Sequence, residues 1–368
     1  MRLERTVPPA VLAAIRAPFA GAGGTAIETP VAEPLGPWLD LAGEALRERL
    51  FLVQGPNGED YCLRPEFTVG VTRAHLGAGA GDAARLVYEG PAFRVAPDGS
   101  SRAEQFLQVG LEAIGEPASP KADAAILDLA WRAAAAGGRD DLTLMLGDAG
   151  LIESFLVALG VAPAAAARLK AASPSRLHCA LEDRPSAGGG GLADVLSDLP
   201  EDRAARVLEE IWALTGIEPV GGRGARDIVH RLRTRAGPSL GVGLDAKRRQ
   251  AVAAFLEIED APQAAFAALR ALASGKIWEL ALDAWEQRLA ALTAVPADRI
   301  RFAAALHRPF SYYDGLQFEI RSAALGEVAT VAAGGRYDHL PQRLGAAGVA
   351  TAVGCMVRPG RAWSGGGP

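Results

Sequence analysis

Lysine is nearly missing from this chain. It stands only at Lys121, Lys170, Lys247 and Lys276, so arginine carries almost all of the positive charge. The formal net charge is −5, which argues against a broad basic surface, so no nucleic acid is expected as a partner. Cysteine is equally scarce. Cys62, Cys179 and Cys355 lie far apart and are odd in number, form no Cys-x-x-Cys pair, and read as buried reduced thiols of a cytoplasmic protein. They make no metal-ligand spacing with His75, His178, His230, His307 or His339, so no metal is expected. No run of ~18 apolar residues occurs and Met1–Pro9 has no apolar heart, which leaves neither a membrane span nor a secretory leader. The phosphate loop, the dinucleotide fingerprint and the serine elbow are all missing, and no cofactor is expected.

What is present is apolar material in quantity, 49% of the residues. That is enough for more than one core at a length beyond the usual ~100–200 residues of a domain. Strand patterns cluster at both ends of the chain. Asn57-Gly58 between two apolar runs marks a hairpin over Leu50–Leu63. Two long strands follow, Arg85–Val95 and Glu104–Ile114, joined by the loop Ala96–Ser101. Asp141–Leu146, Arg301–Leu306, Gly315–Ile320 and Glu327–Ala332 also read as strands. Helices are expected over Pro8–Phe19 and Thr68–Leu76, the latter capped by Thr68. The middle is nearly all helical, broken by the glycine run within Ser186–Gly191. Strands from both ends with helices between them imply an α+β core interrupted by an insertion. The expected division is 1–150 with 297–363 for the core, 151–296 for the helical insertion, and 364–368 for a flexible tail.

The chemistry concentrates in a few places. Gly334-Gly335-Arg336-Tyr337-Asp338 follows no rule of helix or strand making. Its glycines admit close approach, and with Tyr312 and Tyr313 it gathers aromatic surface, a cation and acceptors suited to a small zwitterion with a flat ring. A glycine turn between buried strands is the plainer alternative. Leu63-Arg64-Pro65-Glu66-Phe67-Thr68 places a carboxylate and a hydroxyl at a strand-to-helix junction, where Glu66 either receives an ammonium group or caps the helix. Gln108 and Glu112 share one face of their strand, ~13 Å apart, where buried polar groups need partners. Arg94 either meets an anion or pairs with a surface carboxylate.

Taken together and in this order, these stretches resemble histidyl-tRNA synthetase from about Pro30 to Arg361. The resemblance implies a class II aminoacyl-tRNA synthetase-like antiparallel sheet flanked by helices. It implies a pocket for L-histidine in which Glu66, Thr68 and Gln108 meet the α-amino end. Glu112 with Tyr312 or Tyr313 would address the imidazole, and Arg308 would lie near the carboxylate. Arg94 and Arg361 would be anion contacts. The departures are as telling. Ala96 replaces an acidic residue that reads adenine, and Glu104 replaces a basic one. Arg361 follows Arg358-Pro359-Gly360 in place of Gly-Leu-Glu, and no anticodon-binding domain follows. A synthetase-like core so altered is similar to the ATP phosphoribosyltransferase regulatory subunit family. That resemblance implies no catalysis of its own. It also implies a short-form catalytic subunit as partner, feedback by histidine, and a homodimer within a larger hetero-oligomer. The competing reading is a histidine-activating enzyme or truncated histidyl-tRNA synthetase.

Overall fold

The computed structural model describes residues 1–42, 44–56, 58–79, 83–162, 166, 169, 196, 199–215, 224–226, 228–229, 244–306, 310, 312–326, 329–346, 348 and 350–366. The glycine run of 186–191, Cys179 and Arg308 lie outside the described residues. By its internal packing the chain divides into two compact units, Met1–Phe155 with Glu257–Pro368, and Leu156–Leu256.

The elements run in the order α1 (Pro9–Ala20), β1 (Thr25–Ala26), β2 (Ala32–Pro34), α2 (Leu35–Ala42), α3 (Glu44–Arg47), β3 (Leu52–Gln54), β4 (Asp60–Leu63) and α4 (Thr68–Gly77). Then come β5 (Ala84–Phe93), β6 (Gln105–Ile114), α5 (Pro120–Ala135), β7 (Leu142–Asp148), α6 (Leu151–Ala158), α7 (Glu201–Thr215) and α8 (Ala246–Leu256). The chain closes with β8 (Glu259–Asp260), α9 (Pro262–Leu272), α10 (Lys276–Ala291), β9 (Ile300–Ala303), β10 (Leu316–Ser322), β11 (Thr330–Arg336), α11 (Leu340–Arg343), β12 (Ala352–Val357) and α12 (Pro359–Ala362).

Among the described residues the first unit holds a nine-stranded sheet ordered β1-β5-β6-β12-β11-β10-β7-β9-β8. It is antiparallel except for β1 with β5 and β7 with β9, which pair in parallel. The expected α+β class holds, with those two pairs as the departure from a wholly antiparallel sheet. A crossover explains the second one, because β7 and β9 are joined through a long helical excursion. The expected hairpin forms between β3 and β4, and a second sheet of order β2-β4-β3 results.

Helix α5 lies against β11 and β12 and carries α1 and α10 alongside. It starts where Ser119 Oγ accepts the Ala122 N–H at 3.1 Å and Pro120 takes the first helical position. Covered on nearly every side, it buries Leu127, Ala130 and Trp131 along with Asp123 and Asp128. Phe266, Trp278, Trp285 and Phe302 pack ring against ring and reach Phe155. That aromatic cluster is why 257–296, expected in the helical insertion, packs with the first unit.

The tail expected to be flexible is fastened as far as Gly366. Ser364 N–H donates to Gly137 O, and an Arg139 guanidinium N–H donates to Gly366 O, both at 3.0 Å. In the second unit, α7 buries Ala204, Ala205 and Leu208 against Leu196, Ala225 and Val229, and leaves Glu201, Asp202, Arg206, Glu209 and Glu210 exposed. This is the one-sided pattern of an amphipathic helix.

Candidate functional site

Strand β6 runs beside β12 on one side and β5 on the other, and the cleft opens on the face that carries Gln108 and Glu112. Space exists there because three glycines interrupt the carpet of side chains. Gly354 pairs with Glu112 in the register, and a Cβ at 354 would fall inside the Glu112 carboxylate. Gly334 lies against the Gly354 carbonyl, and Gly110 lies under the Tyr88 hydroxyl. The plainer alternative, a glycine turn at 334–335, does not occur: both residues lie within β11, and neighbouring groups come too close for a side chain at either position.

The resulting cleft spans about 290 Å³ of space between atoms, open solvent included. Glu66 and Thr68 enter from the start of α4, Arg94 from just beyond β5, and Phe310, Tyr312 and Tyr313 from the segment before β10. The structure therefore brings together Glu66, Thr68, Arg94, Gln108, Glu112, Tyr312 and Tyr313. Arg361 is not among the lining residues. It is buried in α12 and donates from Nη1 to Thr330 O at 3.1 Å.

Glu112 is the electrostatic centre. It accepts from Thr68 Oγ1 at 2.9 Å, from Tyr88 Oη at 3.2 Å, and from Tyr337 Oη. Burial pushes its carboxyl up to about 8, the Glu66 charge adds to the rise, and the hydroxyl donors oppose it. Burial first, and then the Glu112 charge, raises Tyr88 and Tyr337 far above the ordinary phenol range. The same burial raises the Cys355 thiol, an inert neighbour on the cleft wall.

Glu66 takes the capping role, one of the two the sequence left open. Its carboxylate accepts the Thr68 and Val69 N–H groups at 2.7 and 3.2 Å, capping α4, and it also lines the cleft. Thr68 is accordingly not the cap. It is the first helical residue, and its hydroxyl turns to Glu112.

Gln108 is fully buried, and neither its Oε1 nor its Nε2 meets a hydrogen-bond partner in the protein. Few buried amides are left so.

A family model described as histidyl-tRNA synthetase matches residues 9–201 and 204–359. An ATP phosphoribosyltransferase regulatory subunit of Allorhizobium ampelinum is 36% identical over 349 residues, covering 91% of this chain and 92% of that one. Its counterpart in Mesorhizobium japonicum is 36% identical over 362 residues, covering 95% of each. The chain belongs to the ATP phosphoribosyltransferase regulatory subunits, a histidyl-tRNA synthetase-like family of histidine biosynthesis. In fold it is similar to an ATP phosphoribosyltransferase regulatory subunit/histidyl-tRNA synthetase from Bacillus halodurans, with a TM-score of 0.65 and 19% identity, covering 96% of this chain and 79% of that one. It is also similar to histidyl-tRNA synthetase from Nostoc, with a TM-score of 0.60 and 17% identity over 97% and 72% of the two chains. Both are class II synthetase-like folds.

Within this regulatory-subunit fold, sequence reasoning missed two residues of the site. Tyr88 stands opposite Gly110 in the register, and a glycine between Gln108 and Glu112 was the available sign that something large lay across from it. Tyr337 sits inside the quoted motif, yet nothing in the motif says that its hydroxyl ends on Glu112. Arg336, read as a cation for a ligand, points elsewhere. Its Nε donates to Asp123 Oδ1 at 2.9 Å and its Nη1 to Asp338 at 2.9 Å, clamping β11 to α5. Among the described residues no cluster suited to a metal occurs, and no helix is long and apolar enough to cross a membrane.

Proposed function

We propose that this chain is the non-catalytic subunit required by a short-form ATP phosphoribosyltransferase catalytic subunit for the first step of histidine biosynthesis. In this reading the cleft holds L-histidine as the feedback signal. The observation that carries it is Gln108. A buried amide without partners costs about 1–3 kcal/mol, and a zwitterionic ligand in the cleft supplies both a donor and acceptors to satisfy it. Glu66 and Thr68 then join Gln108 at the α-ammonium group. Glu112 accepts an imidazole N–H, and Tyr312 or Tyr313 lies against the ring. Arg308 completes the set by resemblance, beside the ligand carboxylate.

Activation of histidine with ATP needs preorganised positive charge at the phosphates and a reader of adenine. Ala96, Glu104 and Pro359-Gly360 stand where those contacts are expected, which favours binding over chemistry. The assembly we propose is cytoplasmic, with a homodimer of this chain inside a larger hetero-oligomer and a synthetase-like core interrupted by a helical insertion.

Co-expression with a short-form catalytic subunit tests the reading. Co-purification, phosphoribosyltransferase activity dependent on this chain, and inhibition by L-histidine are the expected results. Robust histidine-dependent ATP–pyrophosphate exchange by the isolated chain would instead support the synthetase reading.

A further inference from the structure

At the Gln105 end of β6 the sheet leaves an edge open, because the pairing with β12 reaches only Val109. The Arg2–Glu4 segment fills that edge. Leu3 bridges Gln105 in parallel, Glu104 N–H donates to Arg2 O at 2.8 Å, and Glu4 N–H donates to Gln105 O at 2.9 Å. Glu104 holds the segment from below, accepting the Arg2 backbone N–H at 2.9 Å and the Arg2 guanidinium at 3.1 Å.

The segment delivers a carboxylate to a crowd of arginines. Arg94 and Arg358 both face the Phe106 ring, their Cζ atoms 5.4 and 3.8 Å from its centroid. Arg358 and Arg361 are each only 5% exposed, and the Nε of each has no acceptor in the protein. Burial depresses both guanidiniums. Arg102 pushes both further in the same direction, and Glu4 opposes it. Guanidiniums stay charged at any ordinary pH, so this end of β6 carries buried positive charge with unfilled donors. Glu4 Oε1 accepts from Arg358 Nη2 at 2.7 Å. Room for that carboxylate comes from Gly360, where a Cβ would stand 2.6 Å from Glu4 Oε2.

We propose that Arg2–Glu4 is a tethered anion, with Glu4 closing the Arg94, Arg358 and Arg361 cluster against condensed-phosphate ligands. Arginine forks match phosphate oxygens, and the unfilled Nε donors of Arg358 and Arg361 are the ones such a ligand would meet. A carboxylate held by its own strand competes at an effective concentration on the order of millimolar or above. Two of the departures read in the sequence then acquire one purpose. Glu104 fastens the segment, and Gly360 makes the space into which Glu4 is fastened.

Titration calorimetry of the full chain with inorganic pyrophosphate tests this. Removing a tethered competitor is expected to tighten binding by roughly tenfold or more in Glu4→Ala. The same gain is expected in Glu4→Gln, which keeps the packing, and in Gly360→Ala, which expels the carboxylate. Adding Arg361→Gln to Glu4→Ala is expected to remove the gain. Equal affinities in wild type and Glu4→Gln, or a gain that survives Arg361→Gln, would overturn the proposal. A titration of the same samples with L-histidine reads the cleft separately, so failure here is distinguishable from failure of the proposed function.

Discussion

At Gln108 the sheet buries an amide without partners, something interiors rarely tolerate. Its place was readable. Period-two counting along one strand puts Gln108 and Glu112 on a common face, and the cleft opens on that face. The partners of Glu112 were not readable, because Thr68, Tyr88 and Tyr337 come from three other elements. Glu112→Ala is expected to weaken L-histidine by about 1.5–3 kcal/mol, the worth of a charged hydrogen bond, as read by calorimetry at a pH above the raised value of about 8, where the carboxyl is ionised. Unchanged affinity would remove this cleft as the sensor.

A second expectation at this scale concerns pH. Burial pushes Glu112 up to about 8 and Glu33 up to about 7, with the Glu66 charge adding to each. Between the ordinary carboxylate value of about 4.3 and these raised values, the folded chain holds protons that the unfolded chain releases. Their favourable contribution is therefore complete only below about pH 4.3 and is lost as the pH rises toward 8. Ligand-free thermal melts are expected to show a Tm that falls over this window, and a shallower fall in Glu112→Gln.

At the scale of elements, the clamp between β11 and α5 decides how the signature motif is held. Asp123 receives Arg336 from β11 and Arg288 Nε from α10, the latter at 2.6 Å. Removing one member of a buried ion network strands the others, so Asp123→Ala is expected to cost about 3–5 kcal/mol in urea denaturation. Loss of under about 1 kcal/mol would show that the clamp is ornamental. Most of the elements were legible: the helix over Pro8–Phe19, the hairpin over Leu50–Leu63, the long β5–β6 pair, and the helical character of the middle. The role of Arg336 was not, since a motif lists neighbours in sequence while the acceptor lies on a distant helix. The helical stretch before β9 misled for the same reason. Its helices were foreseen, but which unit they joined depended on Trp278 and Trp285 meeting Phe155 and Phe302.

For the whole molecule, the expectation is an assembly whose catalytic rate responds to histidine bound elsewhere. Histidine must favour one state of that assembly, because a ligand with equal affinity for both shifts nothing. A coupling of roughly 1–3 kcal/mol would be ordinary. The complex carrying Gln108→Ala is expected to retain phosphoribosyltransferase activity and to need substantially more histidine for inhibition, measured in a steady-state assay. Full inhibition at wild-type histidine concentrations would move the sensor to another surface.

By itself the sequence determined the class of fold, the family, and the face of β6 on which the cleft opens. Each of these rests on local periodicity or on the order of short motifs, both of which survive in one dimension. The tertiary structure alone decided that Glu66 caps α4 while lining the cleft and that Glu112 is ringed by three hydroxyls. It likewise decided that Arg336 is a clamp and that Glu4 meets Arg358. Those outcomes depend on residues far apart in the chain meeting under burial. There the cost of an unpaired charge or amide selects partners that no spacing along the chain records.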